Sequence, residues 1–373
     1  MNKKDAEHIA VFYEGQDDLI DILAVSMASV CYNTKSFVDF YILDCGICDF
    51  NKKQLELLKE KFANFSIEYI PIDLKQFEGL KGYTEKNFID CYSRLLIPEL
   101  KPKLNKVIYL DTDVIAVSDI KKLYDEEIAP YAIAGVNDIF YGNYEFIKQA
   151  KIPANHIYMN AGILVIDCNK WRRKNITQKC LDEAKKYKNY LGAIIEDILN
   201  SVFRKNNYKL LPFRYGYSQL PNTSAFLGKY SAVDNTFLKE EQKHTLLVHF
   251  SGKNKPWERT TSWNYNIPNI EYIKSKIYFF DQFWFFVEMT PFHEGLNKRF
   301  INNITISSHI EHIYYQLNTI NYKIDQLILR LNKERIKRIK FLNFLPILKI
   351  KRKNNVSQYK LFGFIPLFKI KER

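Results

Sequence analysis

The stretch VIYLDTDVIAV, residues 107–117, sets Asp111 and Asp113 directly behind a run of apolar residues, with no turn former between. Val107, Ile108, Tyr109 and Leu110 have the continuous apolar texture of a strand buried on both faces. In an open α/β sheet, ligands gather outside the carboxyl ends of the strands, so the two acids fall where chemistry is expected. Carboxylates this close repel one another unless a cation or hydrogen-bond donors offset them. A divalent ion is the economical solution. Oxygen ligands match Mg2+ or Mn2+, and phosphate oxygens of a bound ligand can complete the shell. On its own, Asp-x-Asp is short and common, and a structural turn is the competing reading.

Working outward, the neighbouring segments supply the sheet that such a strand needs. HIAVFY (8–13), DFYILDCG (39–46) and SIEYIPID (66–73) read as strands. ILAVSMASVCYN (22–33) and NKKQLELLKEKFANF (51–65) alternate with them as helices, the second carrying Leu55, Leu58 and Phe62 on one face. FIDCYSRLLIPEL (88–100) reads as a helix stopped by Pro98, and AIAGVND (132–138) and MNAGILVIDCNKW (159–171) bring further strands. The expected class is α/β, a mostly parallel mixed sheet flanked by helices, with a C-terminal helical extension. No linker divides residues 1–265, which form the expected catalytic body.

Beyond the body the texture changes. Residues 266–305 are aromatic-dense and expected to be helical; IYFFDQFWFFVEMTPF is too short to span a bilayer. It can pack on the body, line an acceptor groove or touch a membrane. In 306–338, Ile306, Ile310, Ile313, Leu317, Ile320, Ile324, Leu327 and Leu331 alternate steps of four and three. That is an a/d seam, expected to drive homo-oligomerisation, with packing against the body as the alternative. The tail, 339–373, repeats itself: KFLNFLPILKIKRK (340–353) returns as KLFGFIPLFKIKER (360–373), each a short apolar stretch around Pro346 or Pro366 with a basic end.

The net charge of +13 is local. Residues 330–373 hold 14 Lys and Arg against Glu334 and Glu372, or +12, leaving +1 for the rest. A neutral body with no basic groove and no reader motif argues against nucleic acid. The tail instead fits an anionic membrane surface. Six cysteines in 373 residues do not make a disulfide framework, and the Cys45–Cys48 pair has no partner pair at zinc spacing. The first residues lack a signal-peptide core. The expected location is cytoplasmic, peripheral on the inner face of the membrane.

A second constellation stands at VHFSGKNKPW (248–257). His249 follows an apolar run, Gly252 permits close backbone approach, and Lys255 offers charge to a phosphate. Imidazole is a reasonable third ligand for Mn2+; a satisfied structural histidine is the alternative. No GxxxxGK[ST] loop, GxGxxG fingerprint, GxSxG elbow or HExxH helix is present. Any phosphate is therefore held by metal and isolated bases, which favours a nucleotide-sugar over a nucleoside triphosphate.

YSRL (92–95), YLDTD (109–113), MNAG (159–162), EDILN (196–200) and HFSGKNKPW (249–257), in that order, resemble glycosyltransferase family 8, especially its bacterial lipooligosaccharide galactosyl- and glucosyltransferases. The resemblance covers roughly residues 8–265. It implies a GT-A fold and retaining transfer of a hexose, galactose or glucose, from a UDP-sugar to a surface glycan or glycolipid. By the family pattern Asp111, Asp113 and His249 hold Mn2+, and Thr112, Gly252 and Lys255 line the diphosphate. Arg94 and Asp138 look like donor-sugar contacts, Asn160 and Ala161 shape the donor pocket, and Gln16 and Asp17 meet uridine. Two departures stand out. Leu19 occupies the place of a uracil-stacking Tyr, with Tyr13 as a substitute ring. The family's Asp-Gln-Asp is Ile195-Glu196-Asp197, which puts Glu196 near the reacting carbon, keeps Asp197 as a donor-binding residue and removes a sugar-hydroxyl contact. Glu196 is then expected to give electrostatic support or to act as a nucleophile. A UDP-sugar hydrolase and a non-catalytic nucleotide-sugar-binding scaffold are the alternatives.

Overall fold

The computed structural model describes residues 8–83, 89–138, 143–218, 240–252, 255–257, 279–301, 320 and 323, and strands at 348–353, 356–361 and 365–371. The chain divides into two units, one of residues 1–256 and 277–296, the other of 257–276 and 297–373.

The first unit is built on strands β1 (His8–Gly15), β2 (Phe37–Asp44), β3 (Phe65–Pro71), β4 (Lys106–Leu110), β6 (Ile133–Asn137), β7 (Met159–Asp167) and β8 (Lys209–Leu211). They form one sheet in the order β3-β2-β1-β4-β7-β6-β8. All neighbours are parallel except at β7, which runs against both β4 and β6. The expected mixed, mostly parallel sheet is present. Alternation along β1 explains its central place. Ile9, Val11 and Tyr13 join one apolar cluster with Leu23, Ala24 and Met27, while Ala10 and Phe12 join another with Tyr92 and Tyr109. Strand order reverses between β1 and β4, so a crevice opens at their carboxyl ends.

Helix α1 (Ile20–Asn33) is buried over most of its circumference. Its polar residues are used internally: Ser29 Oγ accepts from Ala116 N at 2.8 Å, and Asn33 Nδ2 donates to Ala116 O at 2.9 Å. Those bonds anchor β5 (Val114–Ala116), the first strand of a second small sheet. In it β10 (Leu247–His249) lies between β5 and β9 (Tyr217–Ser218).

Pro98 does not end a helix. A 3-10 segment covers Asp90–Leu96, and Pro98 stands in the first turn of Ile97–Leu100. There its missing N–H is one the helix would not have used. Of the aromatic segment, Phe280–Val287 is a helix whose Phe285 and Phe286 meet Tyr32 of α1 edge-on, at ring separations of 5.2 and 5.8 Å. Packing on the body is thus what these rings do.

In the second unit, β11 (Leu348–Lys353), β12 (Val356–Leu361) and β13 (Ile365–Lys371) form a three-stranded antiparallel sheet. Both ends of the repeated tail sequence therefore become outer strands around β12. Pro366 lies in edge strand β13 opposite Lys360, beside a register shift, where a missing N–H is tolerated. The a/d seam of 306–331 lies outside the described residues except at positions 320 and 323, and Pro346 lies outside them as well.

Candidate metal and donor site

Asp111 begins where β4 ends, and its N–H donates to Gly162 O of β7 at 2.8 Å. A tight turn through Thr112 leads to Asp113, whose carbonyl accepts from Phe250 N at 3.0 Å. That bond continues the pairing of His249 with Val114 in the small sheet, and this register carries the imidazole across 136 residues of sequence to the two acids. His249 Nε2 stands 3.2 Å from Asp113 Oδ1 and 3.7 Å from Asp111 Oδ2. One ligand atom from each of the three lies within 4.8 Å of the others.

The electrostatics suit a cation. Burial alone would raise the Asp113 carboxyl, but the Lys255 ammonium and the His249 imidazole hold it far below the ordinary range. Burial would lower His249, and Asp113 and Asp111 push it up instead. Lys255 Nζ bonds Asp113 Oδ2 and Phe250 O, the latter at 2.7 Å. Room for an ion is kept by Gly162. A Cβ there would lie 2.3 Å from His249 Cε1 and 2.7 Å from Asp111 Oδ2. Two carboxylates and an imidazole around a cradle that a methyl would fill are a donor set that fits Mn2+ or Mg2+.

Arg94 sits against this cluster. Its Nη1 donates to Asp111 Oδ1 at 2.8 Å and to Ala161 O at 3.2 Å, Nη2 to Glu14 Oε2 at 3.2 Å, and Nε to Cys91 O at 3.2 Å. The guanidinium covers the Tyr109 ring at 4.4 Å, and Tyr109 OH donates to the same Asp111 Oδ1 at 2.7 Å. Neither Tyr109, Gly162 nor Glu14 stood out in the sequence. The alternation Tyr109, Asp111 and the small residues of MNAG were the available signals.

Asn160, Asp138 and Glu196, expected to serve the donor, also converge. Because β7 is reversed, its first residues meet the carboxyl ends of β4 and β6. Asn160 Nδ2 donates to Asp138 Oδ2 at 3.2 Å, and Asn160 Oδ1 accepts from Gly162 N at 2.9 Å. Glu196 opens the helix Ile194–Val202. Burial raises its carboxyl to about 7, with Asp138 and Asp111 adding to the effect. That helix is docked by Asn200, whose amide accepts from Met159 N and donates to Met159 O, both at 2.8 Å, in the manner of a strand neighbour.

The other expected residues are defined by their local partners and backbone. Asp197 is fully buried; its carboxylate accepts from Gly192 N at 2.6 Å and from Tyr158 OH. Ile195 is a core residue at 1% exposure. Asp17 accepts from Cys48 N and Asn51 Nδ2, both at 2.9 Å, while Gln16 precedes it with its carbonyl accepting from Leu19 N at 3.2 Å. Tyr13 cannot stack on a base. It is fully buried, and its hydroxyl is 2.8 Å from Ser26 Oγ. Gly252 holds a φ of +77°, with nothing within 4 Å of a built Cβ, so backbone conformation is what requires glycine there.

The profile of glycosyl transferase family 8 matches residues 10–261, which carry every residue of the site. The chain belongs to this family. General stress protein A of Bacillus subtilis (strain 168) is 31% identical over 246 residues, covering 63% of this chain and 82% of that protein. Among solved structures, the galactosyltransferase LgtC with donor and acceptor sugar analogs matches with a TM-score of 0.61 at 22% identity, covering 76% of this chain and 96% of that one. The bifunctional glycosyltransferase WbbM, in its apo form, matches with a TM-score of 0.65 at 20% identity, over 79% of this chain and 52% of that one. At these identities the two structures share the family 8 fold with this chain.

Proposed function

We propose that this family 8 chain is a metal-dependent retaining hexosyltransferase. It takes a UDP-hexose, galactose before glucose, and delivers the sugar to a lipooligosaccharide or other surface-glycan acceptor. The observation that carries this reading is the Asp111–Asp113–His249 cluster around the Gly162 cradle, opening beside Asp138 and Glu196. A divalent cation held by these three side chains supplies Lewis acidity toward the leaving diphosphate. Lys255 exchanges its bond to Asp113 for the diphosphate and adds a second positive charge there. Asp138 and Asn160, already hydrogen-bonded to each other, orient the hexose, and Gln16 and Asp17 meet the uridine. The likeness to LgtC, itself a galactosyltransferase, supports galactose first.

Glu196 acts chiefly through its charge. A carboxylate beside the anomeric carbon stabilises positive charge as the sugar–phosphate bond lengthens, while the acceptor attacks from the same face. Capture of a covalent glycosyl-Glu196 adduct would instead make it the nucleophile. Tail residues 339–373 hold the enzyme at the inner face of the cytoplasmic membrane, where a glycolipid acceptor is presented, and the 306–331 seam assembles copies of the chain.

The test is a donor panel of UDP-galactose, UDP-glucose and their N-acetyl forms, each run with Mn2+ or chelator and with or without glycan acceptor. Transfer that needs both metal and acceptor supports the reading. Release of free sugar unaffected by acceptor identifies a hydrolase. Full turnover in an Asp113→Ala variant removes the metal assignment.

A further inference from the structure

Glu14 occupies an expensive position that neither the cation cluster nor the donor contacts explain. It lies one residue before the end of β1, on the strand face that also carries Ala10 and Phe12. Phe12 pairs with Tyr109 in parallel register, so two residues further on Glu14 comes level with Asp111 on the neighbouring strand. Like charges side by side on adjacent strands are destabilising, and a buried unpaired carboxylate costs several kcal/mol on the order-of-magnitude scale for such groups. Burial accordingly drives the Glu14 carboxyl up, to about 8. A single guanidinium answers both acids, with Nη1 on Asp111 Oδ1 and Nη2 on Glu14 Oε2; the Arg94 side chain is 11% exposed and that of Glu14 14%.

The geometry points to Glu14 as a positioning residue that acts through Arg94 on Asp111. Asp111 has two oxygens with separate tasks. Oδ1 is pinned by Arg94 and Tyr109, and this pinning turns Oδ2 toward His249. Arg94 can hold Oδ1 only while its own fork is fixed. Its three nitrogens are fixed by Cys91 O at one end, Asp111 and Ala161 O in the middle, and Glu14 at the other end. Without Glu14 the fork can rotate about Nε and release Oδ1. What Arg94 needs at position 14 is an acceptor oxygen, so an amide serves as well as a carboxylate. The inference rests on the reading of Asp111 as a cation ligand, but Glu14 is itself outside the residues assigned to the cation and the donor.

The test uses the full chain and its Glu14→Ala, Glu14→Gln and Arg94→Lys variants, with Mn2+ binding without donor read from the paramagnetic resonance of free aqueous Mn2+. Residues that orient a metal ligand change affinity by about 10- to 100-fold when lost. Glu14→Ala is expected to weaken Mn2+ binding by about 10-fold, and Glu14→Gln to restore it to within about 3-fold. Arg94→Lys cannot bridge two acids, so it should weaken binding too, and adding Glu14→Ala to it should cost little more. Unchanged affinity in Glu14→Ala, a Glu14→Gln variant as weak as Glu14→Ala, or additive losses in the double variant would each overturn the inference. If the unsubstituted chain binds no Mn2+, the proposed function falls separately. Crystal structures then decide: Asp111 Oδ1 leaves Arg94 in Glu14→Ala if Glu14 positions it, and stays if not.

Discussion

At Gly162 the sequence leaves out one carbon, and that omission keeps open the space between His249 and Asp111. An alanine would press its methyl onto His249 and Asp111 together. Gly162→Ala is expected to cut Mn2+ affinity by about 100-fold, the upper end for disturbed ligand geometry, as titration calorimetry would register. Glu196 carries a different signature. Its folded-state carboxyl is raised to about 7 from 4.5. The stability linked to its protonated form is therefore complete below about pH 4.5 and lost as pH rises through about 7. Glu196→Gln should match the unsubstituted protein in urea melts at pH 4.5 and exceed it by up to about 3 kcal/mol at pH 8.5, without metal. A variant that is no more stable at the higher pH would show that the carboxylate is not strained by its surroundings. The acids and the imidazole were readable because each follows an apolar run that ends at the crevice. Gly162, Tyr109 and Glu14 were not, since their importance comes from strand neighbours that only the sheet order supplies.

Among the elements, the reversal of β7 brings its first residues to the site. A parallel β7 would send Asn160 and Ala161 to the far edge of the sheet; running backward, it delivers them beside Asp138 and Asp111. Apolar runs announced the strands, but direction was not legible, because a strand buried on both faces reads alike either way. Pro98 was similarly ambiguous, since proline suits a helix's first turn as well as the residue after its last. The helix Phe280–Val287 shows why aromatic excess alone did not mark a ligand surface. Trp284 is 1% exposed, and its Nε1 donates to Pro256 O at 3.1 Å. Trp284→Ala should cost about 3–5 kcal/mol by chemical denaturation, as other buried aromatic truncations do. A loss below about 1 kcal/mol on that same scale would mean the helix contributes little to the body.

For the whole molecule, charge is segregated: residues 330–373 carry +12 and everything before them +1. The sequence made that visible, whereas the three-stranded pairing of the tail was hidden behind its prolines and its apolar stretches. Truncation after residue 338 is expected to leave Mn2+ affinity unchanged. It should weaken co-sedimentation with phosphatidylserine vesicles by at least about 100-fold, each basic residue near such a surface contributing about 1 kcal/mol. Equal sedimentation of the full and truncated chains would detach the tail from any membrane role. Among the described residues no helix is long and apolar enough to cross a bilayer.

The small sheet that joins Val114 to His249 also sets an order of events during synthesis. The β1–β4 crevice, with its two acids, leaves the ribosome long before β10 does, so the nascent body first exists with two of the three side chains of the cluster. The third side chain joins them only after His249 emerges and slots beside β5. On the proposed reading of the cluster as a cation site, a prematurely terminated chain would lack the imidazole however well its large sheet had folded.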